Sequence, residues 1–533
     1  MQIWPRRNPR RSFLSRLLQH LIAAVLWLIP GTSARLPQNP ERVASQALKD
    51  TDDTRLGRAV PKSVGIRPDV SGFYLLPRGL DAFVARAMLA LSAERSIDAQ
   101  YYLLHRDLVG NLFLDLLLEA ADRGVRVRLL VDDMALDDDR DIGAAQLDAH
   151  PNIEVRVFNP FGRNVMRWLQ LLARFGDVTR RMHNKSFTVD NQVTIVGGRN
   201  IGDEYFDANP DLLFGDLDVF AVGPAVNDVS SMFDLYWNSD ISYPVASLIR
   251  NRSDPEALAS ARQKLDEFML QNRDSPYLMA LHDNPLISLV RDWSFDFEWG
   301  DARVLYDHPD KIKAARDQDE LKLSTQLNTY TSRVDRELHI ISPYFVPGRR
   351  GVEMLTGLCQ RDVRVHILTN SLASTDVTIV HAGYARYRRD LLRAGVNLYE
   401  LDETLTREQR RERKAPQRFL RASLHAKSFV LDRKQVFIGS MNFDPRSVLE
   451  NTEIGMLVES AGLARDIGEW FDDITQRGAF RLELEQDSSG AQQIVWIREL
   501  DGETSRFESE PNAGFWRRLA NVMLQFFPLE SQL

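Results

Sequence analysis

Two histidines and two lysines stand at matched spacing in the chain. RMHNKSFTVDNQVTIVGGRN, residues 181–200, carries His183, Lys185 and Asp190. SLHAKSFVLDRKQVFIGSMN, residues 423–442, carries His425, Lys427 and Asp432. The two stretches align without a gap as H-x-K-x4-D-x6-G-[GS]-x-N. Gly197 then matches Gly439, Gly198 matches Ser440 and Asn200 matches Asn442. A lone histidine is most often structural, but two copies in one register point to a paired site. Histidine can act as nucleophile or as acid and base near neutral pH. Lysine and asparagine suit the negative oxygens of a phosphate held while one of its bonds is exchanged. Lysine is a poor metal ligand and the motif holds no carboxylate cluster, so no metal and no cofactor are expected. The candidate catalytic set is therefore His183, Lys185, Asp190, His425, Lys427 and Asp432. Lys185, Asn200, Lys427, Ser440 and Asn442 are the candidate phosphate-binding residues.

The spacing says how these residues must be held. Residues i and i+2 of a strand share a face, which puts each lysine beside its histidine. KSFTVD-NQ and KSFVLD-RKQ read as hairpins, with Asp190 and Asp432 near the turns. There they stabilise the hairpin or pair with a lysine. Around each motif the same α/β plan is written. In the first half a helix over 79–94 precedes a strand over 96–103. A helix over 108–124 follows, then strands over 125–133 and 153–159. In the second half strands over 337–345, 363–371 and 396–401 take the matching places, with a helix over 351–362. Such an internal repeat makes two similar mixed-sheet α/β lobes the expected fold.

Composition bounds the rest. The 533 residues are 44% hydrophobic, enough for a sizeable core. The net charge of -8 speaks against a nucleic-acid-coating protein, so no nucleic-acid partner is expected. Cys359 is the one cysteine, which excludes an intramolecular disulfide. Residues 1–34 combine an arginine-rich start with the short apolar run HLIAAVLWLIP and read as a signal peptide or short membrane anchor. Residues 35–70 read as a linker or wrapping segment. The two lobes are placed at 71–325 and 326–533. NVMRWLQLLARF, residues 164–175, reads as a basic amphipathic segment suited to a bilayer surface. FWRRLANVMLQFFPLE, residues 515–530, has similar character and is expected to pack on the domain, with lipid contact as the alternative. DDMALDDDR, residues 132–140, reads as an exposed acidic loop, and residues 400–419 as a solvated charged insertion.

The duplicated motif resembles the signature of the phospholipase D superfamily. The order of features over roughly residues 70 to 530 is similar to bacterial cardiolipin synthases, especially the class C type. The resemblance implies a phospholipase D-like fold, with both motifs meeting at one active site between the lobes. It implies a covalent phosphatidyl-histidine intermediate on His183, with His425 as general acid and then base. The symmetry of the motif leaves the reverse assignment open. It also implies carboxylates on the strand after each motif that orient the histidines, and these are matched to Asp218 and Glu453. Tyr344, Arg349, Ser374, Thr375, Asp376, His381 and Tyr384 are taken as headgroup contacts. The implied activity is phosphatidyl transfer to phosphatidylglycerol, from phosphatidylglycerol or phosphatidylethanolamine. Hydrolysis to phosphatidic acid and nucleic-acid cleavage are the alternatives. The implied partner is the phospholipid bilayer, and the implied place is the periplasmic side of a bacterial inner membrane.

Overall fold

The computed structural model describes residues 36–37, 42–64, 67, 69–136, 138–163, 167, 170, 179–209, 212–249, 255–404, 421–486, 490–500 and 502–525. The segment expected as signal or anchor lies outside them, as do nearly all of residues 164–175 and residues 405–419 of the insertion expected at 400–419, whose Glu400 and Asp402 are buried rather than solvated. No helix among the described residues is long and apolar enough to cross a membrane.

The first half supplies strands β1 (Ser71–Leu76), β2 (Ser96–Tyr101), β3 (Arg126–Asp132), β4 (Ile153–Phe158), β5 (Ser186–Val189), β6 (Val193–Gly197), β7 (Leu212–Gly215), β8 (Asp218–Val222) and β9 (Ser242–Pro244). The remainder supplies β10 (Glu298–Tyr306), β11 (Glu337–Ile341), β12 (Arg364–Asn370), β13 (Asn397–Leu401), β14 (Arg421–Leu424), β15 (Ser428–Leu431), β16 (Gln435–Gly439), β17 (Ile454–Glu459), β18 (Ala479–Gln486), β19 (Gln492–Leu500) and β20 (Glu503–Phe507).

Pairing order reveals the duplication more fully than sequence does. The first sheet runs β1-β8-β6-β5-β2-β3-β4-β9. The second runs β10-β17-β16-β15-β11-β12-β13-β18, with the same parallel and antiparallel neighbours at every step. β19 and β20 then extend its edge. β10 is thus the counterpart of β1. It also joins the sheets, because Glu298–Gly300 pair with β1 while Asp301–Tyr306 pair with β17. The second unit therefore begins at β10 rather than at residue 326. The 326 boundary follows the first legible repeat, and β10 reads as a strand only through its partners.

The parallel strands β2, β3 and β4 need crossovers, which the Leu108–Asp122 and Asp138–Asp148 helices provide. In the second unit Gly348–Cys359 makes the crossover between β11 and β12, starting three residues earlier than the sequence suggests. One core lies under the Gly79–Ser92 and Leu108–Asp122 helices, and another under Gly348–Cys359. A third contains Val196, Val219 and Met232 from the first unit with Ile438, Met456 and Ile467 from the second. That shared core holds the two sheets together and brings their matched motifs face to face.

Both motif hairpins turn in the same way. Val189 pairs with Val193 and Leu431 with Gln435. Asp190 and Asn191 take positive φ (50° and 51°), as do Asp432 and Arg433 (53° and 52°). Asp190 carboxylate oxygens accept the backbone N–H groups of Glu94, Arg95 and Ser96. Asp432 accepts those of Asp335, Arg336 and Glu337 in the same way. The two aspartates therefore tie each hairpin to the start of β2 or β11, away from the histidines, and their place in the catalytic set is corrected to a structural one. Asp190→Ala is expected to cost roughly 2–3 kcal/mol of stability by orphaning these donors. Turnover per folded molecule should stay within a few-fold of the parent, as urea unfolding and activity on the same preparation will show.

Candidate active site

Each histidine lies just before a motif strand, and the opposite unit pins it there. Met182 forms a parallel bridge with Thr452. His183 N donates to Thr452 O at 2.8 Å, and Thr452 N donates to Arg181 O at 2.9 Å. The mirror arrangement is the parallel pair β7·β14, where His425 N donates to Gly215 O at 2.7 Å. A polar side chain at the end of a central strand fixes each lead-in from within its own unit. Asp132 accepts from Met182 N at 2.8 Å, and Asn370 accepts from Leu424 N at 2.9 Å.

The backbone segments that pin the histidines also deliver their carboxylates. His183 Nδ1 lies 2.8 Å from Glu453 Oε2, and His425 Nδ1 lies 2.6 Å from Asp216 Oδ2. Each imidazole is thus oriented by a carboxylate from the other unit. With Nδ1–H donating to the carboxylate, Nε2 of each ring is left to attack or to carry a proton. Both rings sit edge-on to a tyrosine. Tyr102 is 5.1 Å from His183 and Tyr205 is 5.0 Å from His425, centroid to centroid. Lys185 Nζ donates to His183 O at 2.7 Å and lies 5.4 Å from the Tyr102 ring centre. Lys427 Nζ donates to His425 O and stands 3.2 Å from His425 Nε2.

Glu453 stands where the sequence places it, but its partner is Asp216, not Asp218. Gly197 pairs with Asp218 across β6·β8, and Gly439 pairs with Gly455 across β16·β17. Counting back two residues from each register point gives Asp216 and Glu453. Asp218 instead binds two buried arginines, Arg86 Nη2 at 2.8 Å and Arg199 Nη1 at 3.4 Å. Ser440 also departs from its expected role. Its hydroxyl donates to Glu453 Oε2 at 2.5 Å and accepts from Ile454 N at 3.0 Å, so it braces the carboxylate rather than a phosphate. Gly198, its counterpart, has no room for a side chain, because a Cβ there would lie 2.3 Å from Asp216 Oδ1. Gly198→Ala is accordingly expected to displace Asp216 and lower kcat ~10- to 100-fold. The test is steady-state kinetics beside a thermal melt, which should show a folded protein.

Asn200 and Asn442 are both buried, and Asn200 Nδ2 donates to Tyr205 Oη at 2.9 Å. The Oδ1 atom of each amide has no protein partner among the described residues. A carbonyl oxygen can only accept, so these free ends do not bear on the phosphate-binding expectation, which needs the Nδ2 donors.

The headgroup candidates divide. Tyr344 Oη donates to Asp376 Oδ2 at 2.7 Å, and the Asp376 charge raises the proton affinity of Lys427 and Tyr205, so this pair stands at the site's rim. Arg349 is exposed on the first turn of the Gly348–Cys359 helix. Ser374 is turned inward, donating to Asn370 Oδ1 at 3.0 Å, and Thr375 caps the same turn by accepting from Val377 N. His381 and Tyr384 are buried in the second unit. His381 contacts Arg388 and Tyr384 lies under its guanidinium. Ser374, Thr375, His381 and Tyr384 therefore serve the scaffold rather than a headgroup. The spacing of a helix with buried neighbours cannot be told by sequence from that of a cleft wall.

Asp132 and Asp133 are also buried, paired with Arg181 and Arg163, so the expected exposed acidic loop begins inside the protein. Asp132, Asn370, Asp216, Tyr102 and Tyr205 are the residues that sequence reasoning missed. For Asp132 and Asn370 the signal is present: VRVRLLVD and VRVHILTN end on them in matching register.

Electrostatics breaks the symmetry of the two halves. Burial pushes the His183 proton affinity well below the ordinary range, reinforced by Lys185, Lys427 and His425. Burial and Lys427 also lower His425, but ionised Asp216 pulls it back up. The carboxylates differ in the same sense. For Asp216, burial would raise the pKa, yet His425 and Lys427 outweigh it and hold the group below its usual value. Glu453 is pushed up to about 7 by burial, with Lys185 and Ser440 opposing. Burial lowers Lys185 well below its usual value and Lys427 to about 8. His183 is thus held in its neutral form by burial and its cationic neighbours, whereas Asp216 opposes that effect at His425.

One cluster among the described residues has ligand atoms close enough together for a metal: His105, Asp107 and Glu204. Asp107 already accepts the Gly110 and Asp203 N–H groups, and Glu204 lies 3.2 Å from His105. No motif residue belongs to the cluster.

A family profile described as cardiolipin synthase, PLD-like domain, matches residues 88–237 and 330–475. Cardiolipin synthase C of Escherichia coli (strain K12) is 41% identical over 477 residues, covering 89% of this chain and 99% of that protein. Cardiolipin synthase B of Salmonella typhimurium is 25% identical over 384 residues, covering 72% of this chain and 75% of that protein. In fold, the chain is similar to the crystal structure of phosphatidylserine synthase from Haemophilus influenzae Rd KW20. The TM-score is 0.53 at 14% sequence identity, over 80% of this chain and 92% of that one. The duplicated sheet order, the paired motifs and these likenesses agree, and the chain belongs to the cardiolipin synthase family of phospholipase D-like proteins.

Proposed function

We propose that the chain is a cardiolipin synthase that moves a phosphatidyl group onto phosphatidylglycerol through a covalent intermediate on His183. The observation that carries this reading is the buried pair of imidazoles, each held by a carboxylate from the opposite unit and each with a lysine at its own backbone carbonyl. In the first step His183 Nε2 attacks the donor phosphorus. The bond from phosphorus to the headgroup oxygen breaks, and His425 gives that oxygen its proton. Glu453 stabilises the positive charge that develops on the His183 ring. In the second step neutral His425 takes the proton from a headgroup hydroxyl of phosphatidylglycerol. That oxygen attacks phosphorus and the P–N bond to His183 breaks. Lys185, Lys427, Asn200 and Asn442 hold the non-bridging oxygens, whose charge grows in both transition states. Burial of the lysines strengthens these contacts by excluding water.

The donor is phosphatidylglycerol or phosphatidylethanolamine, and the enzyme works at a membrane, on the periplasmic side of a bacterial inner membrane. Water in place of the acceptor would give phosphatidic acid by the same chemistry. The test is incubation of purified protein with labelled phosphatidylglycerol vesicles, with and without phosphatidylethanolamine, and identification of the products. Cardiolipin is the expected product. Phosphatidic acid alone would replace the synthase reading with a hydrolase.

A further inference from the structure

The Phe515–Gln525 helix is inverted with respect to a soluble surface. Its exposed positions are Phe515, Trp516, Leu519, Ala520, Val522 and Met523, all apolar. They recur at helical spacing and form one face, and Phe515 and Trp516 are 69% and 77% exposed. The polar side chains are turned to the protein instead. Arg517 donates to the carbonyl oxygens of Ala373 and Thr375, and Arg518 donates to Glu510 O at 2.7 Å. Asn521 is buried, and Arg386 donates to Leu524 O at 3.2 Å. A helix on a water-facing surface does the opposite. Side-chain hydrogen bonds set this orientation, so the apolar face is presented by construction. The expected packing on the domain occurs, but through the polar side.

We infer that this face seats in the headgroup layer of a phospholipid bilayer and holds the active site against it. Aromatic residues at one end with aliphatic residues along the rest suit the boundary between headgroups and acyl chains. The sequence carries the pattern on to Phe526 and Phe527. The anchoring point ties the helix to the chemistry. The loop gripped by Arg517 carries Ser374, which donates to Asn370, the residue that holds Leu424 beside His425, and it runs directly into Asp376, which bonds Tyr344. A bilayer touching the helix would therefore meet the rim of the phosphate site. A second copy of the chain is a poorer occupant. The 11-residue helix is about 16 Å long, and its single face falls well short of the roughly 800 Å² a stable dimer buries per partner. The inference rests on the proposed lipid substrate, but the fluorescence test of it does not depend on turnover.

The full chain with Cys359→Ser and Ala520→Cys is labelled with an environment-sensitive fluorophore. A second preparation carries the label through Glu256→Cys, on an exposed site of the first unit. Phosphatidylglycerol vesicles should blue-shift the label at 520 and raise its intensity several-fold, and brominated acyl chains should quench it. The label at 256 should stay unchanged. No response at 520, or the same response at both positions, overturns the inference. So does a shift at 520 that needs no vesicles and grows with protein concentration, which would mean a second copy covers the face. In parallel, the triple variant Trp516→Ser, Leu519→Ser, Met523→Ser should lose at least 10-fold in transfer on vesicles. On short-chain phosphatidylglycerol dispersed as monomers it should stay within two-fold of the parent. An equal loss on both substrates contradicts membrane docking.

Discussion

His183→Ala is expected to abolish phosphatidyl transfer, by on the order of 10⁴-fold or more, because it removes the nucleophile of the proposed mechanism. His425→Ala should be as slow with natural donors but fail for a different reason. It lacks the proton for the leaving oxygen, while the nucleophile and its Glu453 partner remain in place. A donor whose leaving group departs without a proton, such as a p-nitrophenyl phosphodiester, separates the two. His425→Ala should then release one equivalent of p-nitrophenol in a burst and stall. His183→Ala should give no burst. Stopped-flow absorbance reads both, and a burst from His183→Ala would exchange the two roles.

Asp216→Asn and Asp218→Asn should part ways despite lying two residues apart. Asp216 holds His425 Nδ1, and its negative charge keeps that ring able to carry a proton. An amide in its place loses the charge and permits the wrong tautomer, so kcat should fall ~10³- to 10⁴-fold. Stability should fall as well, because His425 and Lys427 hold Asp216 below its usual pKa and its charge therefore favours the folded state. Asp218 neutralises buried Arg86 and Arg199 instead. Losing that partner leaves buried cations uncompensated, at a cost of about 3–5 kcal/mol. Turnover of the molecules that do fold should stay within several-fold of the parent. Kinetics and urea unfolding on both variants check the pair, and a catalytic collapse in Asp218→Asn would return the orienting role to that residue.

The motif residues were legible because the chain carries them twice at one spacing. His183, Lys185, His425 and Lys427 need no structure to be singled out, and the alternation around them specifies the hairpins. What sequence could not supply is which unit serves which histidine. Asp216 and Glu453 act across the interface, and only strand register separates Asp216 from Asp218. β10 was missed for a related reason, since it is defined by its partners β1 and β17. The expected headgroup set fails at Ser374, His381 and Tyr384 because they are as polar in a buried network as they would be in a binding site. The segment at 515–530 reads as amphipathic, but periodicity cannot say which face is turned inward.

The central claim is that His183 carries the phosphatidyl group within one site shared by the two units. The most direct measurement is mass spectrometry of wild-type protein quenched in acid-free buffer after brief exposure to a short-chain donor, with the adduct mapped to a peptide. The account predicts a phosphatidyl mass on the peptide containing His183, no adduct in His183→Ala, and accumulation of the His183 adduct in His425→Ala with an activated donor. A normal adduct on His425 in the His183→Ala protein would contradict it.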